Sequence, residues 1–184
     1  SQADVGRGTP DAFRVYFDSA NYLNDNAANF TVTASGTLGE SLTGTTGDFN
    51  ADGEIDLAVR FKPDSQHDAR VGVFYSVVDK VDAGTASLTF DAADLLLVGE
   101  KAGDGFGQLM SSPNLDLNND GIHDLVIGVP NSDIEPKDDA GRLYTIYGRP
   151  QANPLPQSSI EISTDSVPGS GDFLAETGLG VSML

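Results

Sequence analysis

Asp48-Phe49-Asn50-Ala51-Asp52-Gly53-Glu54-Ile55-Asp56 and Asp116-Leu117-Asn118-Asn119-Asp120-Gly121-Ile122-His123-Asp124 are one acidic loop written twice, and each runs straight into an apolar stretch, Leu57-Ala58-Val59 or Leu125-Val126-Ile127. Positions one, three and five carry oxygen-bearing side chains, position six is glycine and position nine is a carboxylate. Hard oxygen donors alternating along so short a segment suit calcium better than zinc or magnesium. The glycine supplies the sharp turn that folds such a segment back on itself. One copy alone reads equally well as a solvated turn, because Asp, Asn and Gly dominate turns. Two copies with the same offsets and the same sequel favour a cation cage.

An EF-hand loop opens in the same way but closes with a bidentate carboxylate at position twelve and is flanked by helices. Position twelve here is Val59 or Ile127, neither a metal ligand, and both lie inside Val/Ile/Leu runs that read as buried strands. The cage therefore closes at Asp56 and Asp124.

The chain around the loops repeats as well, with a period of about 68 residues that exceeds the ~40–50 residues of common propeller repeats. A hydrophobic-glycine pair precedes each loop, Leu38-Gly39 and Phe106-Gly107, and Leu179-Gly180 offers a third. Arginine-led strands follow, Arg70 to Tyr75 and Arg142 to Tyr147, and Asp11 to Phe17 repeats that piece near the start. Alternating segments come next: Phe30 to Thr33, Ser87 to Phe90 and Ser159 to Ile162. One unit thus consists of an opening strand, acidic loop, apolar strand, arginine-led strand and alternating outer strand, a four-stranded antiparallel sheet. No long stretch holds a 3.6-residue apolar period, although Ala92 to Val98 has room for a helical turn or a further strand. Four-stranded sheets repeated radially are β-propeller blades, so the expected fold class is all-β.

Gly105-Phe106-Gly107, the loop from Asp116 to Asp124, Gly128-Val129-Pro130, and Gly141-Arg142-Leu143-Tyr144 with Tyr147-Gly148 together resemble the FG-GAP repeat of integrin α-subunit β-propellers. The earlier copy departs from it, with Leu38 for the phenylalanine and Val59-Arg60-Phe61-Lys62-Pro63 where Gly-Ala-Pro belongs. The resemblance implies two calcium sites. The first takes the side chains of Asp48, Asn50, Asp52 and Asp56 with the carbonyl of Glu54; the second takes those of Asp116, Asn118, Asp120 and Asp124 with the carbonyl of Ile122. The expected organisation is a partial propeller of fewer than three blades. Residues 1–37 end a preceding blade, 38–105 and 106–178 are blades with one calcium loop each, and 179–184 begin another. Both ends then fall mid-blade, which calls for a longer parent chain or for a protein partner or second copy that completes the half-blades, since open strand edges recruit other chains.

Composition narrows the partners. The formal charge is −18, with 28 acidic residues, 22 of them Asp, against 10 basic ones. Nothing forms a basic patch, which excludes nucleic acid. Bound divalent cations would relieve the self-repulsion, although an acidic, lysine-poor surface is also what a saline habitat selects. Cysteine is absent, so no disulfide framework exists. No apolar run approaches the ~18 residues of a membrane span. Calcium loops are most useful where calcium is abundant, which points to an extracellular or cell-surface location.

Catalysis finds little support. His67 lies in a polar segment, and His123, at position eight of its loop, is expected to face solvent; neither has the His or Cys company of a zinc site. Tyr16, Tyr75, Tyr144 and Tyr147 read as packing between blades. The chain is therefore expected to be no enzyme but a calcium-binding module for adhesion or protein assembly, binding protein or glycan through its loops or edges. The alternative is an accessory propeller of a secreted lipase or polysaccharide lyase whose catalytic residues lie elsewhere.

Overall fold

A computed structural model describes residues 43–61, 69–82, 92–99, 101–111, 113–134 and 136–152, with short strands at 4–5, 12–16, 30–33, 87–89 and 159–162. Leu38-Gly39, His67 and Leu179-Gly180 lie outside the described residues. Twelve strands and one short helix, Val77–Asp82 (α1), make the described chain all-β.

The best-defined sheet carries the first acidic loop. Strands β4 (Gly44–Gly47), β5 (Asp56–Phe61), β6 (Arg70–Phe74) and β8 (Leu95–Gly99) pair antiparallel in the order of a propeller blade. The loop closes the hairpin between β4 and β5, where Gly47 faces Asp56 across the register. Every residue of β5 is buried, the apolar Leu57-Ala58-Val59 as expected of a strand covered on both faces and, with them, the charged Asp56 and Arg60. The second acidic loop lies between β9 (Leu109–Met110) and β10 (Leu125–Val129) of a three-stranded antiparallel sheet completed by β11 (Arg142–Ile146). These two sheets are called here the first and second blades.

The outer strands depart from the simple repeat. Ser87–Thr89 (β7) does not edge the first blade; that position belongs to β8. Instead β7 adds parallel to β3 (Phe30–Thr33) of an N-terminal sheet, whose β1 (Asp4–Val5), β2 (Ala12–Tyr16) and β3 are antiparallel. Ser159–Ile162 (β12) likewise adds parallel to β8 of the first blade. Each alternating segment after an arginine-led strand of an acidic-loop blade thus crosses to the outer edge of the sheet before it.

One hydrophobic core lies between the two blades. Val71, Val73, Leu95 and Leu97 of the first meet Phe106, Leu125, Ile127 and Ile146 of the second, with Tyr75 and Tyr144 packed at its margin. The Phe106 and Tyr144 rings lie 6.4 Å apart, tilted by 55°. Arg60 occupies the place in β5 that Gly128 takes in β10. It is buried, and its Nε donates to the Phe106 carbonyl at 2.7 Å. The departure from Gly-Ala-Pro in the first copy is therefore a strut reaching the Phe-Gly pair of the next blade.

Candidate calcium loops

Both loops fold by the same local rules. In the first, the Asp48 Oδ1 and Asn50 Oδ1 accept the Asp52 N–H, each at 3.1 Å. The Asp48 Oδ2 accepts the Gly53 N–H at 3.0 Å, and the Asp52 Oδ1 accepts that of Glu54 at 2.8 Å. The second loop repeats these bonds from Asp116, Asn118 and Asp120 to the N–H groups of Asp120, Gly121 and Ile122, all between 2.8 and 3.2 Å. Position four is left-handed in both, Ala51 and Asn119, as is the glycine at position six, φ 85° for Gly53 and 87° for Gly121. The glycine is the residue that enters this region without steric cost.

The carboxylate at position nine works differently. Asp56 is 0% exposed and Asp124 1%. The two Asp56 oxygens accept the N–H groups of Phe49 at 2.7 Å and Ser76 at 2.8 Å. Those of Asp124 accept Leu117 at 2.7 Å and Gly148 at 3.0 Å. Each closing aspartate thus ties the start of its loop to the residue that follows the arginine-led strand.

Burial governs the electrostatics of the first loop. Burial pushes the Asp56 carboxyl up to about 7; the bonds from Ser76 and Phe49 oppose the rise, and the nearby charges of Asp52 and Asp48 add to it. Burial also works to raise Asp52, but the Ser76 hydroxyl at 2.6 Å, the Glu54 N–H, the Asn50 amide and the charge of Lys80 outweigh it and hold the group below its ordinary value. A buried carboxylate beside two others is what a divalent cation neutralises.

The donor set fits calcium: each loop brings three aspartates and an asparagine within nine residues, all oxygen, with no thiolate. As the loops stand, these oxygens accept backbone N–H groups, and among the described residues no three carboxylate, imidazole or thiolate side chains converge closely enough to hold an ion. Every carboxylate oxygen in those bonds keeps lone-pair capacity for a cation. Asp48, Asn50, Asp52 and Asp56, and Asp116, Asn118, Asp120 and Asp124, are the groups that would hold it.

His123 does not face solvent as expected. It is half-buried, and its Nδ1 accepts the Asp48 N–H at 2.8 Å. Ser76 also escaped the sequence reading, although its hydroxyl braces the central ligand Asp52. Tyr75 and Tyr144 pack against the core, as their place in strands predicts.

Residues 110–146 match the FG-GAP repeat family. The match begins in β9 and ends at the last residue of β11, so it spans the second blade together with its acidic loop. Among curated proteins none matches the chain.

Proposed function

We propose, taking the FG-GAP repeat at residues 110–146 as the premise, that this chain is a calcium-stabilised segment of an extracellular β-propeller that mediates adhesion or protein assembly. The duplicated loop carries the reading: two segments far apart in sequence fold into the same bonds, the same left-handed positions and the same buried closing aspartate. Calcium here is structural. When bound it supplies positive charge to each acid cluster, and the loops' own residues supply the frame that fixes those acids at the ends of β4, β5, β9 and β10.

The partner is a protein or a second copy of the chain. Leu109 and Leu117 are 59% and 53% exposed on the second blade, and among the described residues no strand pairs with the outer edge of β9, which carries Leu109. Exposed large side chains beside an unpaired strand favour association. No described helix is long and apolar enough to cross a membrane. An extracellular setting follows from the calcium reading, since loops of this kind fill readily where the ion is abundant.

Counting bound ions tests the proposal. Native mass spectrometry in calcium is expected to show two ions per chain, one in Asp52→Ala or Asp120→Ala, and none in the double variant. A wild-type chain without bound calcium, or an unchanged count in the variants, would overturn the assignment.

A further inference from the structure

The first acidic loop is held in place from the second blade. Asp48 donates its N–H to the His123 Nδ1 at 2.8 Å, while its carbonyl accepts the His123 N–H at 3.1 Å. The Phe49 carbonyl accepts the Arg149 N–H at 3.0 Å, and the Asn50 carbonyl accepts that of Gln151 at 2.7 Å. The first three residues of the first loop, two of them proposed ligands, are therefore each tied to the other blade. The segments that do this also form the second loop's own frame: His123 precedes Asp124, and Gly148 donates to the Asp124 Oδ1 at 3.0 Å. Gly148 sits against the His123 carbonyl and the Ile122 side chain, with no space for a Cβ.

Nothing equivalent among the described residues holds the second loop. Among the described residues, the Asp116 N–H and the carbonyls of Leu117 and Asn118 have no hydrogen-bond partner. Leu117 is 53% exposed, whereas Phe49 at the same loop position is 9% exposed beneath residues 148–151. The contact is thus directional: the second loop, together with the segment its aspartate anchors, forms one wall of the first.

Resting on the calcium reading above, we infer that the second acidic loop is a working part of the first site. His123 is a positioning residue for Asp48, and filling the second site raises the affinity of the first. A flexible loop loses conformational freedom when it gathers ligands around an ion, and prior ordering of part of it reduces that cost. Asp124 anchors Gly148, and just beyond it the N–H groups of Arg149 and Gln151 pin the first loop, so an ion held by Asp124 would order that whole segment. Coupling of this kind is reciprocal, so filling the first site raises the affinity of the second by the same factor.

The amide resonances of Gly53 and Gly121, at position six of each loop, report the sites separately during a calcium titration of the purified chain. Both are expected to move in the wild type. In Asp120→Ala the Gly53 midpoint is expected to shift to higher calcium by about fivefold or more. His123→Ala should do the same, and His123→Asn, which offers Oδ1 where Nδ1 was, should restore it. Gln151→Pro removes the donor to Asn50 without touching either loop and carries the test if His123→Ala does not fold. Gly53 midpoints within about twofold of wild type in both Asp120→Ala and Gln151→Pro would overturn the coupling while leaving the calcium sites standing. An Asn variant no better than Ala would remove His123 from the positioning role. If neither glycine responds in the wild type, the calcium reading itself fails and the coupling fails with it.

Discussion

Asp56 has two tasks that pull against each other. Its oxygens satisfy the Phe49 and Ser76 N–H groups in a fully buried position, yet burial beside Asp52 and Asp48 drives its carboxyl up to about 7. The folded chain then holds the proton more tightly than the unfolded chain, whose value is near the ordinary 3.8. Stability from this group is full below that ordinary value and is lost as the pH climbs from there to about 7. With calcium chelated, the melting temperature of wild type relative to Asp56→Asn is expected to fall across that window, and a difference independent of pH would refute the linkage. Asp56→Ala leaves the buried Phe49 N–H and the part-buried Ser76 N–H unsatisfied. It should cost ~1–3 kcal/mol for each in urea unfolding with chelator present, a loss that owes nothing to an ion. The ligand-type residues were legible because their chemistry is local: Asp, Asn and Gly at fixed offsets build the same turn wherever they stand. His123 was not, because its partner Asp48 lies 75 residues away and only the packing of two blades brings them together.

Among the elements, alternation in the sequence identified strands but not the sheets they join. Ser87–Thr89 and Ser159–Ile162 stand at matching distances behind their arginine-led strands, and by the simplest connection each would edge its own blade. Parallel pairing with β3 and β8 takes them to the preceding sheet, a choice made by backbone hydrogen bonds that leave no trace in side-chain periodicity. Phe30–Thr33 stands at nearly their distance from an arginine, Arg14, yet pairs antiparallel with β2 as an ordinary outer strand. The Phe-Gly pair was visible, whereas its purpose was not: Phe106 fills the core between blades, and the space at Gly107 is taken by Val71 and Arg60 of the other sheet. Gly107→Ala is therefore expected to cost more than Gly103→Ala. Both glycines have positive φ, 74° and 97°, and share the conformational penalty of ~1–2 kcal/mol. A Cβ at Gly103 meets nothing within 4 Å, whereas at Gly107 it meets the Val71 side chain at 2.8 Å. Equal losses in chemical unfolding would mean that the two blades do not pack tightly at this point.

At the scale of the molecule, a charge of −18 on 184 residues opposes compaction, and the acid clusters concentrate it at the loops joining β4 to β5 and β9 to β10. Diffuse repulsion of this kind yields to any salt, because screening acts within about 8–10 Å at ordinary ionic strength. Ions held in two oxygen cages do more. Each contributes binding free energy to the folded state alone, about 2.7 kcal/mol when calcium exceeds its dissociation constant a hundredfold. Two such sites should raise the melting temperature by on the order of 10 °C in a domain of this size. Magnesium at equal concentration provides the same screening but demands compact octahedral geometry and keeps its water, so it should give much less. A saline-adapted surface predicts the opposite ranking, with magnesium, calcium and sodium chloride matched in ionic strength stabilising alike. Melting the chain in the three salts, with Asp52→Ala and Asp120→Ala alongside, separates the two. A calcium-specific rise that falls by half or more in each single variant ties stability to the cages, whereas equal rises in all salts and all chains would leave the acids as surface charge and withdraw the structural role of the ion.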